Sequence, residues 1–177
     1  MGNEHGLALM STEERIKLYD EKARKRFTFL RGVCTDGHHP NLTRALGFAR
    51  ERHRGQTRKS GEPYIIHPLS LACDAVGMEI NDDVLLAALV LHDLLEDTEC
   101  PNEELEKAIG SSLLTTVLVL TKSDDNSYDE YIRQVLDSGD SLAILVKRAD
   151  IKDHFTQEDT LTEKLINKYL PHIKEFL

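Results

Sequence analysis

The segment Asn81-Asp82-Asp83-Val84-Leu85-Leu86-Ala87-Ala88-Leu89-Val90-Leu91-His92-Asp93-Leu94-Leu95-Glu96-Asp97-Thr98 decides the fold. Asn81-Asp82-Asp83 reads as a helix N-cap, because short polar side chains accept hydrogen bonds from the first free amides of a helix. From Val84 to Leu91 no residue is polar, so a helix there is apolar on every face. Such a helix belongs at the centre of a core, and it is expected to run through Leu95. The apolar run is far shorter than the ~20 residues a membrane span needs.

Segments on either side read at helical period as well. Ser11-Thr12-Glu13-Glu14 has the spacing of a capping box and opens a helix expected to reach about Cys34. Thr35-Asp36-Gly37-His38-His39-Pro40 breaks the chain with residues expected to face solvent. Leu42, Ala45, Leu46 and Ala49 then form one stripe of a helix over roughly 41–54. His53 lies near its end, where a protonated ring would suit the dipole. The polar stretch Gly55 to Tyr64, with two glycines and a proline, is expected to be a loop. A helix from His67 or Pro68 to Gly77 follows, Pro68 being acceptable in a first turn. Further helices are expected over 101–109, 111–121, 128–136, 141–155 and 160–176. No strand alternation persists, so the expected fold class is all-α, a helical bundle. The 177 residues hold no repeat or linker and read as one domain, an amino-terminal helix up to residue 36 and a core over 40–177.

Composition narrows the function. Lys and Arg total 22 against 31 Asp and Glu, a formal charge of −9. That balance argues against a nucleic-acid partner, since coating phosphates takes clustered cations. It leaves room for a small phosphorylated ligand in a local basic pocket. The amino terminus has no targeting pattern and no segment suits a membrane, so the expected location is cytoplasmic. Cys34, Cys73 and Cys100 are odd in number and lack CxxC spacing, which argues against a disulfide framework or a thiolate zinc site.

Ionisable groups at the end of an apolar helix have no structural use, because burying charge without partners costs several kcal/mol. At helical spacing Glu96 is four residues from His92 and three from Asp93, and Asp97 is four from Asp93, which crowds them toward one side. Carboxylates gathered so closely repel unless a cation compensates them. Two further residues have the same character. Ile65-Ile66-His67-Pro68 sets a histidine at a loop-to-helix junction behind apolar anchors. Asp150 ends Ala143-Ile144-Leu145-Val146-Lys147-Arg148-Ala149-Asp150, a largely apolar helix where a lone carboxylate is expensive. His67, His92, Asp93 and Asp150 make a mixed imidazole and carboxylate set, suited to Mn²⁺, Fe²⁺ or Zn²⁺ with positions left for water and substrate. Taken singly, each has a bland alternative: His67 a hydrogen-bonded ring, Glu96-Asp97 a charged helix end, Arg58-Lys59 a solvated loop.

Arg58-Lys59-Ser60-Gly61-Glu62-Pro63-Tyr64-Ile65-Ile66-His67-Pro68, then His92-Asp93 with Glu96-Asp97-Thr98, then Lys147-Arg148-Ala149-Asp150, form a recognisable pattern. It resembles the HD-domain hydrolases of the bifunctional stringent-response enzymes and of stand-alone small alarmone hydrolases. The likeness runs from about Leu42 to Phe155. It implies an all-helical HD fold, a Mn²⁺-type metal, and removal of the 3′-pyrophosphate from guanosine tetra- or pentaphosphate. By that likeness His67, His92, Asp93 and Asp150 are the metal ligands, and Glu96 and Asp97 position or activate the attacking water. Arg58, Lys59 and Ser60 match the loop that contacts the base, and Tyr128 and Tyr131 are candidates for the pocket mouth.

Two departures bear on the substrate. His154 stands four residues after Asp150, where the family usually has Asn; on the face of Asp150, it could contact ribose, phosphate or metal. Arg148 replaces a residue that is commonly apolar. The nucleotide is therefore open between a guanosine alarmone, an adenine alarmone or 5′-nucleotide, and a ligand that is sensed without turnover. The first helix either caps the domain or pairs two copies in a homo-oligomer.

Overall fold

In a computed structural model, residues 10–58, 60–156 and 162–176 are described. Every element among them is helical, apart from an isolated antiparallel bridge between Thr57 and Pro63. The fold is all-α. Helix α1 spans Thr12–Val33 and opens on the expected capping box: Glu14 N donates to Ser11 Oγ at 3.2 Å and Ser11 N donates to Glu14 Oε2 at 2.8 Å. A 3₁₀ turn over Cys34–Asp36 leads to α2, Pro40–Arg52. Helix α3 is Ile66–Gly77 and α4 is Asp83–Leu91, with Asp82 accepting from Leu85 N at 2.8 Å as its cap.

Helix α4 occupies the centre. Leu86 to Leu91 are all buried, and α4 packs against α2, α3, α7 (Ser111–Leu120) and α9 (Ser141–Thr156). A helix apolar all round can satisfy itself only in that way. Its neighbours supply the rest of the core through Leu42, Leu46, Leu69, Leu120 and Val146. The chain is completed by α5 (Leu94–Asp97), α6 (Asn102–Ile109), α8 (Tyr128–Asp137) and α10 (Glu163–Tyr169), then a 3₁₀ turn over Leu170–Glu175. The final helix is thus shorter than the sequence suggested, with Pro171 inside the 3₁₀ turn. No helix among the described residues is long and apolar enough to cross a membrane.

The central helix does not continue to Leu95. It ends at Leu91, and His92 and Asp93 form a turn before α5. Asp93 sits at φ −97° and ψ 0°, away from the regular helical well. Neighbouring residues on a regular helix point about 100° apart. The break instead brings the His92 ring and the Asp93 carboxylate together, Nε2 to Oδ2 at 3.0 Å. Helix α1 lies on α3, and its Lys22 pairs with the buried carboxylate of Glu62 at 2.6 Å. It therefore ties down Glu62 in the segment that precedes α3.

Candidate metal centre

Three segments deliver the polar groups. Helix α3 brings His67 in its first turn, the α4–α5 turn brings His92 and Asp93, and α9 brings Lys147, Asp150, Asp153 and His154. Spacings of three and four keep Lys147, Asp153 and His154 on the Asp150 side of α9. His67 Nε2 lies 3.2 Å from Asp150 Oδ1 and 3.7 Å from Asp93 Oδ2. His92 Nε2 lies 3.0 Å from Asp93 Oδ2 and 3.8 Å from Asp150 Oδ1. Two donors that each sit about 2.1 Å from an ion at right angles are about 3.0 Å apart. Two sets of side chains are thus spaced to hold a cation, His67 with His92 and Asp93, and His67 with Asp150 and His154, the two sharing His67.

The far sides of the rings support that reading. His92 Nδ1 lies 2.9 Å from the Leu89 carbonyl and donates its hydrogen to it, so that in the neutral ring Nε2 carries the lone pair. That Nε2 is buried and has no hydrogen-bond partner. His67 Nδ1 lies 2.8 Å from Asp153 Oδ2, whose carboxylate is 6% exposed. A carboxylate or carbonyl behind the ring is how metal-binding imidazoles are oriented. Asp93 Oδ2 also accepts from the Tyr64 hydroxyl at 2.7 Å. An unpartnered buried nitrogen facing two carboxylates fits a divalent ion, and the residues present could hold one.

Asp150 is not the isolated carboxylate that the sequence suggested. Its Oδ2 accepts from Lys147 Nζ at 2.7 Å, and His154 Nε2 stands 3.2 Å from its Oδ1. Lys147 holds the Asp150 carboxyl well below the usual range, against the upward push of burial. Burial pulls His67 down, but Asp150 and Asp153 override it and carry the ring up to about 9. His92 is also raised, with Asp93 outweighing burial. Both shifts have one cause: the carboxylates around these rings favour a positive charge at the place a cation would take.

Glu96 and Asp97 stand outside the ligand group, exposed at its rim. Glu96 Oε2 accepts from Lys122 N at 3.1 Å. Burial raises both carboxyls above their ordinary values, with Asp93 pushing in the same direction. The expected crowding of three carboxylates thus resolves into one at the centre and two at the mouth. The 55–64 loop is pinned beside them, with Gln56 Nε2 donating to the Asp97 carbonyl at 2.6 Å. Gly61, at φ +85°, lets the loop close: Gly61 N donates to Arg58 O, and Arg58 N to Glu62 O, both at 2.8 Å. The Arg58 guanidinium lies 6.0 Å from the Tyr64 ring centre, and Ser60 Oγ accepts weakly from Glu62 N at 3.4 Å. Lys59 lies outside the described residues.

Several sequence expectations change here. His53 and His39 are buried, His53 against Gln56 Oε1 at 2.7 Å and His39 against the Asn81 carbonyl at 3.0 Å. Burial lowers the His53 pKa, so the ring is held neutral and does not serve the helix dipole as a cation. Tyr131 is core, not mouth, and its hydroxyl donates to the Leu120 carbonyl at 2.6 Å. Arg148 is exposed over a groove with Leu71 and Met78, away from the ligand atoms. Asp153, Lys147 and Tyr64 are the contributors the sequence reading left without a role. Their signal was spacing: Lys147 and Asp153 each stand three residues from Asp150.

Comparison with known proteins places this arrangement. A family model for the HD domain matches residues 45–149, which contains His67, His92 and Asp93 and ends one residue before Asp150. The chain belongs to the HD-domain family. It is 37% identical over 123 residues to a guanosine-3′,5′-bis(diphosphate) 3′-pyrophosphohydrolase of Aquifex aeolicus, covering 66% of this chain and 18% of that protein. It is 43% identical over 83 residues to the bifunctional (p)ppGpp synthase/hydrolase SpoT of Escherichia coli, covering 47% of this chain and 12% of the other. This HD-domain chain therefore spans less than a fifth of the length of these curated relatives. A solved structure described as a metazoan ortholog of SpoT that hydrolyzes ppGpp superposes with a TM-score of 0.62 at 25% identity, covering 77% of this chain and 83% of that one.

Proposed function

We propose that this chain is a cytoplasmic, divalent-metal-dependent hydrolase that removes the 3′-pyrophosphate from guanosine 3′,5′-bis(diphosphate), with Mn²⁺ as its ion. The observation that carries the reading is the convergence of His67, His92, Asp93 and Asp150, with the His92 Nε2 lone pair buried and unpartnered. The names and activities of the relatives support the choice of substrate. When bound, the ion lowers the pKa of a water molecule and steadies charge on the phosphoryl oxygens.

The protein groups then do the following. His67, His92, Asp93 and Asp150 hold the ion, Asp153 fixes the His67 ring, and Tyr64 fixes the Asp93 carboxylate. Glu96, with Asp97 beside it, takes the proton from the attacking water, for which a carboxyl raised by burial is the better base. The water oxygen bonds to the phosphorus attached to the 3′-oxygen. That phosphorus–oxygen bond breaks, the 3′-oxygen takes up a proton, and guanosine 5′-diphosphate and pyrophosphate leave. Arg58, Lys59 and Ser60 receive the purine, where a guanidinium can stack on a base. His154 contacts the ribose or a phosphate from the Asp150 side.

Incubating the purified chain with Mn²⁺ and guanosine 3′,5′-bis(diphosphate), with the adenosine analogue in parallel, tests this reading. Release of pyrophosphate in preference from the guanine compound supports it. Release from neither compound refutes the hydrolase, and release from the adenine compound alone refutes the substrate.

A further inference from the structure

The wall beside the metal centre, built by α8, α9 and α10, holds polar groups whose chemistry is unfinished. Lys168 Nζ lies 4.4 Å from the centre of the Tyr128 ring and 4.9 Å from that of Tyr169. Its hydrogen bond to the Tyr169 hydroxyl, at 3.5 Å, is at the outer limit for such a bond. No carboxylate of the described residues lies within ion-pairing distance of it. Lys147 Nζ lies 5.8 Å from the same Tyr128 ring, but Asp150 neutralises that ammonium at 2.7 Å. Burial, and Lys147 as a like charge, lower the Lys168 pKa, while Asp150, Glu96 and Asp93 act on it in the opposite sense. Lys168 therefore stands within the field of the metal centre. Beside it the Tyr128 hydroxyl is buried and has no hydrogen-bond partner.

A cation held between two rings can serve as a packing device alone. Two observations favour an incoming anion. The Lys168 side chain is exposed, so a ligand can reach its ammonium, and the Tyr128 hydroxyl on the ring beneath it is a buried orphan, costly until a partner arrives. Phosphate oxygens supply such acceptors and accept charge-assisted hydrogen bonds strongly. Between Lys168 and Asp150 stand Tyr128 and Lys147 along one line of contacts and Tyr169 and His154 along another, which sets Lys168 two side chains out from Asp150.

We infer that Lys168 and the Tyr128 hydroxyl form a phosphate-receiving arm that binds the 5′-phosphate chain of the substrate while the 3′-pyrophosphate reacts at the metal centre. The inference rests on the hydrolase reading above for the identity of the substrate. It makes Lys168 a specificity residue that selects nucleotides phosphorylated at both ends.

The test compares two guanosine 3′-pyrophosphates, one with a 5′-diphosphate and one with a 5′-hydroxyl, in the parent, Lys168→Met, Lys168→Arg and Tyr128→Phe. Lys168→Met should raise KM for the 5′-diphosphate compound about 10-fold or more, the worth of one charge-assisted hydrogen bond. KM for the 5′-hydroxyl compound should stay within about twofold, and Lys168→Arg should recover most of the loss. Tyr128→Phe should give a smaller loss of the same kind. Equal losses on both compounds overturn the inference. Titration of guanosine 5′-diphosphate into the Mn²⁺-loaded protein reads the arm without turnover, and Lys168→Met should weaken it about 10-fold. Equal affinity in parent and Lys168→Met overturns the inference even if hydrolysis is observed. Weakened affinity without hydrolysis overturns the hydrolase reading and keeps the arm.

Discussion

In the proposed function Asp153 and Glu96 have opposite tasks, one behind the His67 ring and one at the rim of the candidate centre. Asp153 holds His67 through Nδ1, so Asp153→Asn should weaken Mn²⁺ binding about 10–100-fold, as read by calorimetry, while far-ultraviolet circular dichroism stays unchanged. Glu96 touches no ligand atom, so Glu96→Gln should keep the metal and lose about 10²-fold or more in kcat. Burial raises the Glu96 and Asp97 carboxyls, which favours the protonated form in the folded protein. A base works only when deprotonated, so kcat/KM should fall as pH drops through that raised value. The acid limb should lie above the ordinary glutamate value of about 4.3. A limb at or below that value would count against a carboxyl base at this rim. His67, His92, Asp93 and Asp150 stood out in the sequence because each is ionisable beside apolar residues, and the structure brings them close to one another. Asp153 was hidden because its partner lies 86 residues away, and local spacing cannot show which ring a carboxylate stands behind.

Helix α4 shows both the strength and the limit of reading by period. Its cap, its apolar length and its central place follow from residues 81–91, and the structure keeps all three. Its end does not follow, because Leu94 and Leu95 carry the apolar pattern past a break made by the polar pair His92-Asp93. That break puts two adjacent residues on one centre, a geometry that no regular helix offers. A second feature crosses between elements. The carboxylate of Asp83, the first residue of α4, accepts from Asn41 N at 3.0 Å and Leu42 N at 2.8 Å, so α4 caps the start of α2. Pro40 at the first position of α2 supplies no donor, and no side chain of the preceding residue does the capping. Asp83→Ala should therefore destabilise the fold by about 1–2 kcal/mol in urea denaturation. Mn²⁺ affinity should not change, since the cap lies outside the ligand group. An unchanged denaturation midpoint would show that water replaces the carboxylate without loss.

At the scale of the whole molecule, α3, the turn after α4 and α9 meet at one place, and each brings a part of the candidate site that none could form alone. A ligand that binds only the folded chain raises its stability by RT ln(1 + [L]/Kd), about 2.7 kcal/mol at a hundredfold excess over Kd. Saturating Mn²⁺ should accordingly raise the melting temperature by several degrees, and a chelator should reverse the rise. A melting curve indifferent to Mn²⁺ would mean that the three helices do not share an ion. Elemental analysis of the parent, His92→Ala and Glu96→Ala, paired with pyrophosphate release from the same samples, tests the account most directly. About one ion per chain in the parent and in Glu96→Ala, little in His92→Ala, and turnover in the parent alone are the expected results. Full metal content in His92→Ala, or parental turnover in Glu96→Ala, would contradict the account.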